Sequence, residues 1–150
     1  MIKLSYIFLA GFGFAFISDQ FVKHLSLNGL RYESSYIDLV QVFNDGVAFS
    51  MLSFLKDYLK YLHLALILCL FAYLLWQKSF FKEHLLAFSL IFGAGSSNLL
   101  DRFLYGGVVD MFYWHKWFNF AIFNVADVLI NLGVALILIK EFFFKKKAIL

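Results

Sequence analysis

Phe123-Asn124-Val125-Ala126-Asp127-Val128-Leu129-Ile130-Asn131-Leu132-Gly133-Val134 opens an apolar run that continues to Phe144, and its reading decides the fold. Asn124, Asp127 and Asn131 recur at three and four residues, so on an α-helix they form one stripe on a surface otherwise made of Val, Leu, Ile and Phe. Lipid can neither pair a charge nor satisfy an amide, so such a stripe must face protein or water. The segment therefore reads as a membrane helix packed in a bundle, not as a lone anchor.

Working outward, apolar stretches mark helices over about 4–23, 58–77, 84–104 and 123–144, with one outer loop over 24–57. Each has about the 20 residues that cross a hydrocarbon core of roughly 30 Å. The chain of 150 residues is 63% apolar with 21 Phe and only 15% charged residues, too little polar surface to clothe a soluble domain. The expected fold is an all-α membrane protein, a single integral domain over 1–150 built as a four-transmembrane-helix bundle. No A-x-A-like site closes the first apolar run, which reads as a retained helix and not a cleaved leader. The lone Cys69 lies inside the second run and excludes an intrachain disulfide.

Basic residues set the orientation. With four crossings, Lys3, Lys78, Lys82, Lys140 and the Lys145-Lys146-Lys147 tail share one side, expected to be cytoplasmic and to hold both termini. The tail suits an anionic inner leaflet at about 1 kcal/mol per charge, so the net charge of +3 needs no nucleic acid to explain it. Rising about 1.5 Å per residue from the cytoplasmic ends, Asp19 lies roughly 22 Å up the first helix, Asp101 roughly 26 Å up the third and Asp127 roughly 27 Å up the fourth. All three reach one level near the outer face, and Asp110 follows just beyond the third helix.

Two other features bear on that level. Gly11 and Ala15 on the first helix and Gly93-Ala94-Gly95-Ser96-Ser97 on the third allow close helix approach, or leave room for a substrate segment. In the outer loop, the β-rich run Tyr36 to Phe43, the turn Asn44-Asp45-Gly46 and the apolar run Val47 to Ser50 signal a β-hairpin or small extracytoplasmic sheet. His24, His63, His84 and His115 are scattered without ligand spacing to one another or to Cys69, so no metal or other cofactor is expected; His84 and His115 read as interfacial residues.

Five short segments, in order and across nearly the whole chain, resemble the pattern of the lipoprotein signal peptidase (signal peptidase II) family. They are Asp19-Gln20-Phe21-Val22-Lys23, Asn44-Asp45-Gly46-Val47-Ala48-Phe49, Asn98-Leu99-Leu100-Asp101-Arg102, Gly107-Val108-Val109-Asp110 and Phe123-Asn124-Val125-Ala126-Asp127. The resemblance implies an aspartic endopeptidase of the bacterial inner (cytoplasmic) membrane that removes signal peptides from diacylglyceryl-modified prolipoproteins, cutting before the lipidated cysteine. It puts Asp110 and Asp127 in the place of the catalytic aspartates. It puts Asp19, Lys23, Asn44, Gly46, Asn98, Arg102, Asn124 and Ala126 in supporting or substrate-contacting positions. The implied partners are lipid-modified prolipoproteins and membrane lipids, and a monomer is expected because no heptad or G-x-x-x-G match forces a dimer.

This chain departs from the family pattern in three places: Ser97 stands where Gly is usual, Met111 follows Asp110 where Phe is usual, and no Pro precedes Phe123-Asn124. The first adds a hydroxymethyl group in a tight region. Asp19 and Lys23, at i and i+4, read as an ion pair. Arg102 either neutralises Asp101 or binds the polar link between cysteine and lipid. Because Asp within membrane helices also builds ion relays, a small proton-coupled transporter or transporter subunit is the alternative function.

Overall fold

In the computed structural model, residues 2–46, 53–55 and 57–144 are described. Among these residues the order is α1 (Ile2–Leu27), β1 (Ile37–Asn44), α2 (Tyr58–Trp76), α3 (Lys78–Glu83), α4 (Leu85–Tyr105), β2 (Val108–Trp114) and α5 (Val125–Ile139), with a short 3-10 turn, Ser53–Leu55, before α2. A turn of π-helix, Lys140–Phe144, prolongs α5.

Helix ends follow backbone chemistry more closely than hydropathy. α1 overruns the expected end at 23 because Lys23 and His24 end the apolar run without ending the helix. The stop is Gly29 at φ +94, with Gly29 N–H donating to Ser26 O at 3.1 Å and Leu30 N–H to Leu25 O at 3.1 Å. That pair of bonds is a Schellman cap, and the left-handed residue it requires favours glycine. Gly106, at φ +76, closes α4 in the same region of backbone space. The expected 123–144 helix is shorter at its start, because Asn124 is the N-cap of α5 and stands outside the helix. The short α3 was not expected; it fills the link between α2 and α4.

α4 is the central element, packed against α1 and α5 on one side and α2 on the other. Its small residues serve close packing: a Cβ on Gly93 would lie 2.4 Å from Phe12 O, and one on Gly133 of α5 would lie 2.8 Å from Ala87 O. Gly11 is equally confined, facing Ser89. Gly95 instead looks toward Ile67 and His63 of α2, where a Cβ would meet ordinary contacts. Ala15, Leu90, Ala94, Ala126 and Leu129 form one buried cluster; Phe88, Phe92 and Leu74 form another, with Phe8, Phe12 and Phe81 around it.

The polarity of the molecule is inverted. Asp19, Lys23 and Asp101 are at most 1% exposed, whereas Leu9, Phe14, Ile17 and Phe21 of α1 turn outward, as do Leu66 and Leu68 of α2. Such a distribution suits hydrocarbon as the surrounding medium. Two helical segments, Ser5–Leu27 and Tyr58–Trp76, are long and apolar enough to cross a membrane.

A small sheet exists, but its pairing differs from the expected hairpin. β1 runs antiparallel to β2, with Val42 opposite Asp110 and Asn44 opposite Val108, and a bulge between Leu39 and Val42. The hairpin signal was local, whereas the partner of β1 comes from beyond α4; Val47 to Ser50 lie outside the described residues. On its other edge β2 is bridged to Phe123: Phe112 N–H donates to Phe123 O at 2.9 Å and Phe123 N–H to Phe112 O at 3.1 Å. β2 is thereby fastened to the start of α5. His84, read as interfacial, is instead 3% exposed at the junction of α3 and α4.

Candidate active site

Three elements bring two carboxylates to one cleft. Asn44 ends β1 opposite Val108, so Asp110 is its diagonal neighbour on the same face of the sheet, within reach across the pair. Asn44 Nδ2 donates to Asp110 Oδ2 at 3.0 Å. The Phe112–Phe123 bridge then sets Asn124 beside Asp110, and Asn124 Nδ2 donates to Asp110 Oδ1 at 2.7 Å. As the N-cap of α5, Asn124 also accepts from Asp127 N–H at 2.9 Å through its side chain, while its own N–H donates to Asp127 Oδ2 at 3.2 Å. This reciprocal capping box holds the first turn of α5. One asparagine therefore bonds both aspartates.

Asp127 Oδ1 accepts from Asn98 Nδ2 at 3.1 Å. Asn98 Oδ1 in turn accepts from Lys23 Nζ at 2.7 Å and from Asn124 Nδ2 at 3.1 Å. The amide thus stands between the aspartate pair and a buried ionic cluster. In that cluster Lys23 Nζ lies 2.6 Å from both Asp19 Oδ2 and Asp101 Oδ2. The carboxylates are otherwise saturated: Asp19 accepts from Ala126 N–H at 2.8 Å and Ser97 Oγ at 2.6 Å, and Asp101 from Val109 N–H at 3.1 Å and Gln20 Nε2 at 2.8 Å. Asp101 therefore finds its cation in Lys23. Arg102 donates through Nη2 to Gly46 O, and its buried Nε has no hydrogen-bond partner among the described residues.

Among the described residues no cation touches Asp110 or Asp127 within ion-pair distance. Burial pushes the Asp110 carboxyl up to about 6; the bond from Asn44 opposes the rise and the neighbouring Asp127 adds to it. Both aspartates, with Asn44, Asn98 and Arg102, face a cleft of about 570 Å³ whose far wall is apolar, formed by Leu59, Leu62 and Leu66 of α2 and by Val128 of α5.

The matched residues thus converge, with Gly46 near Arg102 and Ala126 acting through its backbone N–H. Gly46 N–H donates to Asn44 Oδ1 at 3.0 Å, which fixes the turn after β1. Two participants were missed. Gln20 bridges α1 to Ser97 and Asp101, and His63 lines the cleft from α2. Gln20 sits one residue after a motif aspartate, which was the only available signal. Ser97, which stands where the family has Gly, gives its hydroxyl to Asp19 and receives Gln20, so the added group is hydrogen-bonded.

The model of the family described as signal peptidase (SPase) II matches residues 12–143. The chain belongs to the signal peptidase II family. A lipoprotein signal peptidase of Campylobacter jejuni subsp. jejuni serotype O:6 is 63% identical over 145 residues, 97% of this chain and 93% of the relative. One from Helicobacter pylori strain Shi470 is 56% identical over 141 residues, 94% and 90% of the two chains. Two solved structures of a bacterial membrane enzyme share the fold. The first has a TM-score of 0.72 at 26% identity over 88% of this chain and 84% of that one. The second has a TM-score of 0.74 at 25% identity over 91% and 93%. The peptidase is thus an aspartic, membrane-bound member of its family.

Proposed function

We propose that Asp110 and Asp127 are the catalytic pair with which this lipoprotein signal peptidase hydrolyses its prolipoprotein substrates. The observation that carries the reading is the contrast in partners: both carboxylates face the cleft and are held by Asn44, Asn98 and Asn124, while Asp19 and Asp101 share the Lys23 ammonium. Water is a poor nucleophile for an amide, and two carboxylates sharing one proton address both ends of the reaction. The ionised member takes a proton from water as the water oxygen attacks the scissile carbonyl. The protonated member gives its proton to the carbonyl oxygen, forming a gem-diol; the other then passes the proton it took from water to the leaving nitrogen, while the first recovers a proton from a gem-diol hydroxyl as the C–N bond breaks. Asn124 keeps the two at a fixed separation while that proton changes hands.

The substrate is a prolipoprotein carrying diacylglycerol on the cysteine that follows the cut. The apolar α2 wall of the cleft suits acyl chains and a signal-peptide helix, with Arg102 beside it for the polar link. Four crossings by α1, α2, α4 and the α5 segment, both termini in the cytoplasm, put this cleft near the extracytoplasmic face of the bacterial inner membrane. The substrate enters sideways from the bilayer, because its hydrophobic parts cross water only at high cost. One chain, as a single domain, supplies every residue of the site, so a monomer suffices. The test is processing of a diacylglyceryl-modified precursor by the purified enzyme in lipid. Wild type should release the signal peptide, and a D110N or D127N variant that cuts at the wild-type rate would overturn the assignment.

A further inference from the structure

The opposite end of α4 holds a second cluster that the peptidase reaction does not use. His84, at the α3–α4 junction, and Glu141, in the π-turn after α5, approach with Nε2 and Oε1 3.2 Å apart. Glu83 completes a group in which one ligand atom from each residue lies within 4.8 Å of the others. The His84 side chain is only 1% exposed, and its Nε2 has no hydrogen-bond partner among the described residues, since the approach to Glu141 is off line. Nδ1 lies 3.1 Å from Phe80 O. A carbonyl only accepts, so Nδ1 carries a proton, and Nε2 is the ring nitrogen turned toward a carboxylate oxygen.

We infer that Glu83, His84 and Glu141 form a binding site for a divalent transition-metal cation of the Zn²⁺ class. A metal about 2.0 to 2.2 Å from each donor in tetrahedral geometry separates its ligands by about 3.3 Å, close to the His84–Glu141 approach and hostile to none of the observed bonds. A histidine that donates one ring N–H to a backbone carbonyl and presents the other nitrogen is the arrangement that orients a metal-bound imidazole. The imidazole favours Zn²⁺, Co²⁺ or Ni²⁺ over Mg²⁺ and Ca²⁺, which prefer oxygen. Among the described residues Lys140 is an opposing charge: its Nζ lies 3.9 Å from Glu83 Oε1 and is engaged with Glu83 O at 2.6 Å. A cleft of about 520 Å³ beside Glu83, His84 and Lys140 admits the water that would complete the coordination. Glu83 and His84 are neighbours in the chain but Glu141 lies 57 residues beyond His84, so no His or Cys spacing announces the set. Bound metal would clasp the segment after α5 to the start of α4.

The test is a Co²⁺ titration of the detergent-purified full-length chain, followed by its visible spectrum, with Zn²⁺ as competitor and thermal unfolding as a second readout. Wild type should bind one Co²⁺ with a tetrahedral spectrum, lose it to Zn²⁺, and unfold at higher temperature with Zn²⁺ present. H84Q and E141Q should each weaken binding by at least about tenfold, and D110N should bind like wild type. If H84Q does not fold, E141Q and E83Q read the same site. Absence of a Co²⁺ spectrum in wild type, as for a plain imidazolium–carboxylate pair, or unchanged binding in both H84Q and E141Q, would overturn the inference.

Discussion

Four aspartates, three buried and Asp127 half-buried, occupy neighbouring positions near one end of the helices, yet two share a lysine and the two proposed as the catalytic pair do not. Asp19 and Asp101 share the Lys23 ammonium at 2.6 Å and fill their remaining lone pairs with Ser97, Gln20 and two backbone N–H groups. Asp110 and Asp127 receive only amide donors, chiefly from asparagine, and look into the cleft. A carboxylate with a cation and full hydrogen bonding holds helices together. One held by neutral donors in a poorly hydrated site can pass a proton back and forth. Carboxylates of one kind are thus assigned different work by whether a lysine reaches them.

Removing either member of the second pair should have the largest effect. D110N and D127N should each lower precursor cleavage by on the order of 10²- to 10⁴-fold, as expected for loss of a general acid or base, measured as rate per folded enzyme. In the framework pair the cost should fall on folding. K23M strands Asp19 and Asp101 beside an apolar side chain, and should destabilise the protein by about 3 to 5 kcal/mol, seen as lost folded yield or a lowered unfolding temperature. Loss of activity without loss of fold in K23M would erase the distinction.

The contrast can also be read by pH. The Asp110 carboxyl stands at about 6 in the folded protein against 3.8 as a free group. Its raised pKa means that stability from the protonated form is complete below about 3.8 and is lost as pH rises through about 6. D110N should therefore unfold like wild type near pH 4 and be more stable above pH 6, by up to about 3 kcal/mol. The smallest effect on stability separates two duties of Asn124. N124S keeps a capping oxygen but is too short to reach Asp110, so it should retain most of the roughly 1 kcal/mol of cap stability. Its cleavage rate should nonetheless fall, roughly ten- to hundredfold, from the lost charged hydrogen bond. Full cleavage in N124S beside a loss in N124A would mean that Asn124 only caps.

Much of this was legible in the chain. Depth counting along the helices brought Asp19, Asp101 and Asp127 to one level, and the i, i+4 spacing of Asp19 and Lys23 anticipated their contact. What spacing cannot give is rotation about the helix axis and long-range pairing. Asp101 precedes Arg102, but its partner lies on α1, a choice fixed by how α1 and α4 turn toward each other. A turn signal describes neighbours in sequence, whereas the hydrogen bonds of β1 run to β2, a strand beyond the three helices α2, α3 and α4. His84 was misjudged because a polar residue at a segment border looks interfacial until a short helix is folded over it.

The bond from Ala126 N–H to Asp19 joins residues 107 positions apart, and the cap on Asp127 exists only once α5 has formed. During synthesis, every earlier segment is therefore present before the machinery can operate. A nascent chain that has not yet delivered α5 lacks Asp127, its cap and the tie to Asp19, and so holds only one of the two carboxylates proposed as the catalytic pair.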